Sequence, residues 1–472
     1  MSTSLDHVQT AFEIDPPDIK PWLISGLRSV LPLWLRWQCG ITEIEDRYID
    51  RLIDLIQKMN KGKVRCLIAF RHPTIDDQFA LFHLFAYSLP KAAKKQGTKF
   101  AKSPHCYYVY DRGIPLWAGK HVAWLYPRTG GIPISRGKLD RDALRMIRHY
   151  IVNGEYPVVI SPEGGTNNHN ELVNPLEPGV AQMGFWAAED LEKAGRDETV
   201  VILPVGVQYE YLGAPWEQVD QFLMQLESDC GISKPALRSP TMEERYERLY
   251  GLGEYLLDEM GQHYQKYYAA YAPEPKEIVT KSAQATSEVV TATKPEIADR
   301  LPLLLDHMLR VAEAHFKIKP KGTFIDRCRR LEAAGFEQIF RTDIDDLNSI
   351  SPLEKGLADH LAKEANSSQW HMRIAETLTA ISGNYIKESP TPTRFADVLQ
   401  QVWRAVARVK SQTFGRPPYL GDRKCTISIG EPISISDRYA EYKSDRQNAR
   451  RVVNDVTCDL QHALEGLIFP SK

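Results

Sequence analysis

Between residues 64 and 209 short apolar runs alternate with stretches of helical period, and no other feature of the 472-residue chain narrows its fold as much. The run Val64–Phe70, VRCLIAF, stops just before Arg71-His72-Pro73, the pattern of a buried strand entering a loop. The same reading predicts helix over 77–89, strand over 105–110, helix over 139–152, strand over 156–161, helix over 179–193 and strand over 199–209. Strands alternating with helices build an α/β sheet domain. Upstream, Ile49, Leu52, Ile53, Ile56 and Met59 stand at helical spacing, which predicts an amphipathic helix over 42–60.

After about residue 212 the pattern changes. Residues 241–271, 298–316, 324–335, 369–386 and 395–412 read as helices, with no strand-like run among them. Residues 272–296 are rich in Pro, Ala, Ser and Thr without an aromatic, the composition of a linker. A strand signal returns at 425–435, CTISIGEPISI, followed by a helix predicted over 448–467.

Composition excludes several functions. Lys and Arg number 59 against 61 Asp and Glu, so no overall basic field points to nucleic acid. Charged residues interrupt every apolar stretch before it reaches spanning length, so no transmembrane helix is expected. The start, MSTSLD, lacks both a basic segment before an apolar one and the glycine that myristoylation requires, which predicts a cytosolic protein. Seven widely spaced cysteines without a C-x-x-C fit free thiols in a reducing compartment. Residues 21–38, PWLISGLRSVLPLWLRWQ, admit two readings: a segment lying in a membrane interface, or one packed on the domain.

Four constellations carry chemistry. In Arg71-His72-Pro73-Thr74-Ile75-Asp76-Asp77 a turn can bring His72 and Asp77 together. The carboxylate would then fix one imidazole nitrogen and leave the other as a base for an alcohol proton, although Asp77 also reads as a helix cap. Arg136, between glycines after the short strand that contains Gly131, can approach a phosphate bidentately or stand in a surface turn. Ser161-Pro162-Glu163-Gly164-Gly165-Thr166-Asn167 ends a buried strand in an acid and a polar Gly-rich turn, whose backbone amides could orient a headgroup. Leu203-Pro204-Val205-Gly206 reads as a buried strand interrupted by Pro and Gly. Gly113-Ile114-Pro115-Leu116-Trp117-Ala118-Gly119-Lys120 resembles a phosphate loop, but its spacing is one residue too long and His121 stands where Ser or Thr is required. No G-x-S-x-G and no H-E-x-x-H occurs.

In this order the four blocks resemble those of the glycerolipid acyltransferases, the PlsC-type lysophosphatidic acid acyltransferase family. His72 and Asp77 match the family's N-H-x-x-x-x-D. Gly131 to Arg136 match its G-x-x-F-I-x-R loosely, one residue short; Ser161 to Gly164 match F-P-E-G-T-R, and Leu203-Pro204-Val205 match an apolar block around a proline. The chain departs from the pattern at Arg71, where Asn or Ser is usual, and at Gly165 and Asn167, where an extra glycine enters and the arginine is missing. Asp76 beside Asp77 offers a second carboxylate for His72, though the spacing favours Asp77.

The resemblance implies an α/β fold with a central mixed β-sheet flanked by helices. Family members close this domain with a segment such as Ile429-Gly430-Glu431-Pro432-Ile433 and a helix. Here that segment follows the fourth block by roughly 210 residues, far beyond ordinary loop lengths, which implies a large helical insertion. The expected organisation is an N-terminal helical segment over 1–60, acyltransferase sequence over 61–212, a helical insertion over 213–424 with the linker near 272–296, and a closing strand and helix over 425–472. The resemblance further implies that His72, oriented by Asp77, activates a hydroxyl of a lysophospholipid or glycerol phosphate. Arg136, Glu163, Gly164 and Gly131 would bind the acceptor, and acyl-CoA or acyl carrier protein would be a substrate, without metal or resident cofactor. A membrane lipid acceptor places the protein peripherally on the cytoplasmic face of a membrane, helped by the basic run Lys91 to Lys102. The second expectation is a catalytically inactive lipid-binding or scaffold protein that keeps the fold.

Overall fold

Five consecutive buried residues, Cys66 to Phe70, mark the middle of the sheet in the computed structural model, which describes residues 4–10, 15–114, 120–135, 140–273, 296–379, 381, 384–410 and 416–469. The chain divides into two units. One comprises Ile14–Ile134, Asp140–Ala214 and Gly421–Lys472, the other Met1–Glu13, Ser135–Leu139 and Pro215–Leu420.

The first unit is built on eight strands: β1 (Ile41–Arg47), β2 (Val64–Phe70), β3 (Tyr107–Asp111), β4 (Gly131–Ile134), β5 (Val158–Ile160), β6 (Thr199–Tyr211), β7 (Arg423–Ile429) and β8 (Ile433–Ser434). Their order is β1-β7-β6-β2-β5-β3-β4, with β8 also on β6. β6, β2, β5, β3 and β4 run parallel, whereas β7 and β1 run parallel to each other and antiparallel to β6. The sheet is therefore mixed, as the resemblance implies. Alternation of side chains sends Cys66, Ile68 and Phe70 of β2 into one apolar layer and Leu67 and Ala69 into the other. A strand covered on both faces needs no polar side, which is why its sequence is almost uniformly apolar.

Helices cover both faces. On one lie α1 (Pro21–Trp37), α2 (Ile49–Asn60), α3 (Asp77–His83) and α4 (Leu89–Lys95). On the other lie α5 (Arg141–Asn153), α6 (Gly179–Lys193) and α7 (Arg446–Glu465). The helix predicted over 77–89 is interrupted by a π-turn at Leu84–Ser88. Pro90, in the first turn of α4, has no amide to continue an α-helical ladder, and the wider turn accommodates it.

The helix predicted over 42–60 begins only at Ile49, because Ile41–Arg47 is an edge strand and Tyr48, at φ 59°, turns the chain out of it. β1 carries many charges, and they are matched across the sheet: Lys424 on β7 bridges Glu45 on β1 and Glu210 on β6. Between β7 and β8, the Gly430 amide donates to the Pro204 carbonyl at 2.8 Å. A Cβ there would lie 3.1 Å from that carbonyl oxygen, so the close crossing favours glycine.

The second unit contains helices Trp216–Asp229, Met242–Tyr267, Ile297–Phe316, Phe324–Ile339, Pro352–Leu378, Asn384–Glu388 and Pro392–Val409. Capping boxes at Thr241/Glu244, Thr323/Asp326 and Ser351/Glu354 start three of them. Gln9–Thr10 pairs with Phe340–Arg341, so the first residues of the chain belong to this unit and the N-terminal stretch 1–60 is shared between the two. Of the linker expected over 272–296, residues 274–295 lie outside the described residues. Among the described residues no helix is long and apolar enough to cross a membrane.

Candidate active site

β2 delivers the site. Where the strand ends, Arg71 turns inward and is fully buried. Its amide donates to the Val205 carbonyl, and its guanidinium to the carbonyls of Val207 at 3.1 Å, His169 at 2.6 Å and Leu172 at 3.0 Å. The residue that breaks the family pattern thus pins the loop after β5 against β6. This anchoring fixes the start of the turn on which His72 sits.

The turn brings His72 and Asp77 together. His72 Nδ1 lies 2.7 Å from Asp77 Oδ2 and, as the donor, leaves Nε2 as the nitrogen the carboxylate does not engage. The His72 side chain retains 24% of its exposure while that of Asp77 has none, so the base faces solvent and its orienting carboxylate does not. Asp77 Oδ2 also accepts from the Thr74 amide at 3.1 Å, and Oδ1 accepts from the Tyr209 hydroxyl at 2.7 Å. Burial raises the Asp77 carboxyl above its ordinary value, and the hydrogen bonds from His72, Tyr209 and Thr74 oppose that rise. Asp76, the neighbouring acid, pairs instead with Arg423 at 2.7 Å. Asp77, not Asp76, therefore serves His72.

Glu163 lies behind this turn. It is 4% exposed. Its Oε1 accepts from the His72 amide at 2.8 Å, and its Oε2 from Asn167 Nδ2 at 2.7 Å and the Asn174 amide at 3.0 Å. Both carboxylate oxygens of the residue that the resemblance implies for acceptor binding are thus engaged within the protein, one of them by the His72 backbone. Gly164 follows at φ 68°, a conformation that favours glycine, and the Asn167 amide donates to the His72 carbonyl at 3.1 Å. Asn167 stands where the family has arginine, and in this chain it ties the two loops together.

Gly131 is set by packing: a Cβ on it would lie 2.8 Å from the Tyr126 carbonyl oxygen and 2.9 Å from the Tyr110 ring. Arg136, expected at the acceptor phosphate, lies outside the described residues. Sequence reasoning missed Tyr209 and Arg423, which stand 132 and 347 residues from the aspartates they contact. No short-range spacing could have revealed them. Among the described residues no group of three or more His, Cys, Asp or Glu is placed to hold a metal ion.

His72 and Asp77 stand at the carboxyl edge of the parallel strands, where open α/β sheets bind their ligands. Sheet and pair together give an α/β protein with a partly exposed imidazole held by a buried carboxylate at that edge. Residues 98–208 match the family model described as Acyltransferase, that of the PlsC-type glycerolipid acyltransferases, so over this segment the chain is similar to that family. The match supports acyl transfer to a glycerolipid in general. The match takes in Gly131, Glu163 and Gly164 but begins after His72 and Asp77, so the pair stands on its own geometry. No curated protein and no solved structure gives a match.

Proposed function

We propose that the protein transfers a fatty acyl group from acyl-CoA or acyl carrier protein to the free hydroxyl of a lysophospholipid or glycerol phosphate, with 1-acylglycerol-3-phosphate the foremost acceptor, in phospholipid synthesis. The observation that carries this reading is the partly exposed His72 held through Nδ1 by a buried carboxylate. His72 Nε2 takes the hydroxyl proton as the oxygen attacks the thioester carbonyl. The C–O bond forms, the C–S bond breaks, and the proton passes to the departing thiolate, with no acyl-enzyme between. Asp77 fixes the tautomer and stabilises the imidazolium that forms. Arg136, with backbone amides near Gly164, is the proposed contact for the acceptor phosphate. The thioester is a substrate, not a resident cofactor.

Contact with the membrane is assigned to α1. Leu31 and Leu35 are buried on the domain, whereas Trp22 is 64% and Trp37 74% exposed, with Val30 and Leu33 also outward. The buried face fits the packed reading of residues 21–38, and the exposed Trp and Leu face supports the proposal that it meets a membrane interface. Such a face suits peripheral docking on the cytoplasmic side of a bilayer.

Release of free thiol from acyl-CoA with lysophosphatidate tests the chemistry. His72→Ala is expected to lower the rate by about 10²–10⁴-fold, the usual worth of a general base. Equal rates in wild type and variant would leave the inactive scaffold as the better reading.

A further inference from the structure

We infer that Tyr209 is a positioning residue of the His72–Asp77 pair, acting through the hydrogen bond its hydroxyl donates to Asp77. The inference rests on the acyltransferase reading above and adds a third member to its acid–base chain. Both Tyr209 and Asp77 are fully buried, and the hydroxyl lies 2.7 Å from Oδ1. The other oxygen, Oδ2, serves His72 and the Thr74 amide. The Thr74 hydroxyl also reaches Oδ1, at 3.5 Å, so Tyr209 is its shorter donor, and the carboxylate cannot rotate about its Cβ–Cγ bond without breaking the bond from Tyr209 or that from His72. The lone pair that orients His72 therefore keeps its direction.

Tyr209 is itself fixed by its strand. Its amide donates to Asn170 Oδ1 at 3.0 Å, its backbone pairs with Cys425 on β7, and the Arg423 guanidinium lies 5.1 Å from the centre of its ring. That same guanidinium pairs with Asp76. The closing strand thus supports both neighbouring aspartates, Asp76 directly and Asp77 through Tyr209. Burial, and then the charge of Asp77, push the phenol well above its ordinary value, so the hydroxyl remains a donor throughout the working range.

A donor to a carboxylate stabilises its ionised form, so removing it favours the protonated pair. The groups around Asp77 are His72 from the turn, Asp76 beside it, Tyr209 from β6 and Cys425 from β7, with Arg423 of β7 against Asp76 and the Tyr209 ring. Of these, Arg423 is already paired with Asp76, and burial holds the Cys425 thiol in its neutral form. The acid limb of the rate profile then belongs to the His72–Asp77 pair as a unit.

The test is the pH dependence of thiol release by the full chain, with acyl-CoA and lysophosphatidate, for wild type, His72→Ala, Tyr209→Phe and protein carrying a fluorinated tyrosine at 209. Tyr209→Phe is expected to lower kcat and to move the acid limb upward by on the order of half a unit to one unit. A fluorinated phenol keeps the shape but donates more strongly, and should move the limb downward. A purely structural tyrosine would lower the melting temperature and leave the limb in place. If His72→Ala is inactive while the limb stays fixed in the folded Tyr209 proteins, the inference is overturned and the acyltransferase reading stands. If Tyr209→Phe does not fold, the fluorinated protein decides: a downward shift supports the inference, and an unmoved limb overturns it. If His72→Ala matches wild type, the catalytic reading fails and the inference falls with it.

Discussion

At the scale of single residues, a charged side chain is defined by what receives it. Arg71, His72 and Glu163 share one small region, yet only His72 reaches solvent appreciably. Glu163 gives a discriminating prediction. Glu163→Gln replaces one acceptor oxygen with an amide that faces donors, which should cost about 1–3 kcal/mol of stability. If Glu163 acts by holding the His72 backbone, kcat falls in steady-state assays while KM for the acceptor stays near wild type. A raised KM with unchanged kcat would instead place it at the headgroup. His72 and Asp77 were legible in the sequence because only four residues of a turn separate them. Tyr209 was not, because only the pairing of β6 with β2 and β7 brings it to Asp77. Glu163 was legible as a residue, but its hydrogen bonds to the His72 and Asn174 amides were not, since nothing in a motif says which way a carboxylate faces.

At the scale of elements, legibility followed burial. β2 announced itself because both its faces are covered, and α6 matched its predicted span of 179–193 because its apolar face recurs with helical period. β1 did not. Its sequence, ITEIEDR, needs β7 to become a strand, with Lys424 there to meet Glu45, and that partner lies far along the chain. α1 lets its two faces be separated by experiment. Trp22→Ala with Trp37→Ala should leave the melting temperature close to wild type, because both rings are mainly in solvent. The same pair of substitutions should weaken co-sedimentation with vesicles containing anionic lipid. Unchanged sedimentation would remove α1 from the membrane contact.

At the scale of the whole molecule, β6 and β7 are antiparallel neighbours although the unit of Pro215–Leu420 separates them in sequence. Tyr211 pairs with Arg423, and the Leu212 amide donates to the Asp422 carbonyl at 2.8 Å. Antiparallel neighbours can be joined by a short hairpin. A chain in which residues 214–420 are replaced by a short Gly/Asn-containing turn should therefore unfold in one cooperative transition, followed by circular dichroism on heating. A molten, non-cooperative product would mean that the sheet unit needs the helical one to fold.

The same connection sets an order of events during synthesis. At about 5–20 residues per second, a ribosome takes on the order of 10–40 s to make the roughly 210 residues between the two strands. During that interval the edge of β6 from Val205 to Tyr211 has no partner to receive its backbone groups. The nascent protein must carry an open strand edge, beside the Asp77 that Tyr209 contacts, until β7 has been made. A chaperone that shields such edges would act on this protein during that interval, and a ribosome stalled within it would release a product prone to aggregate through that edge.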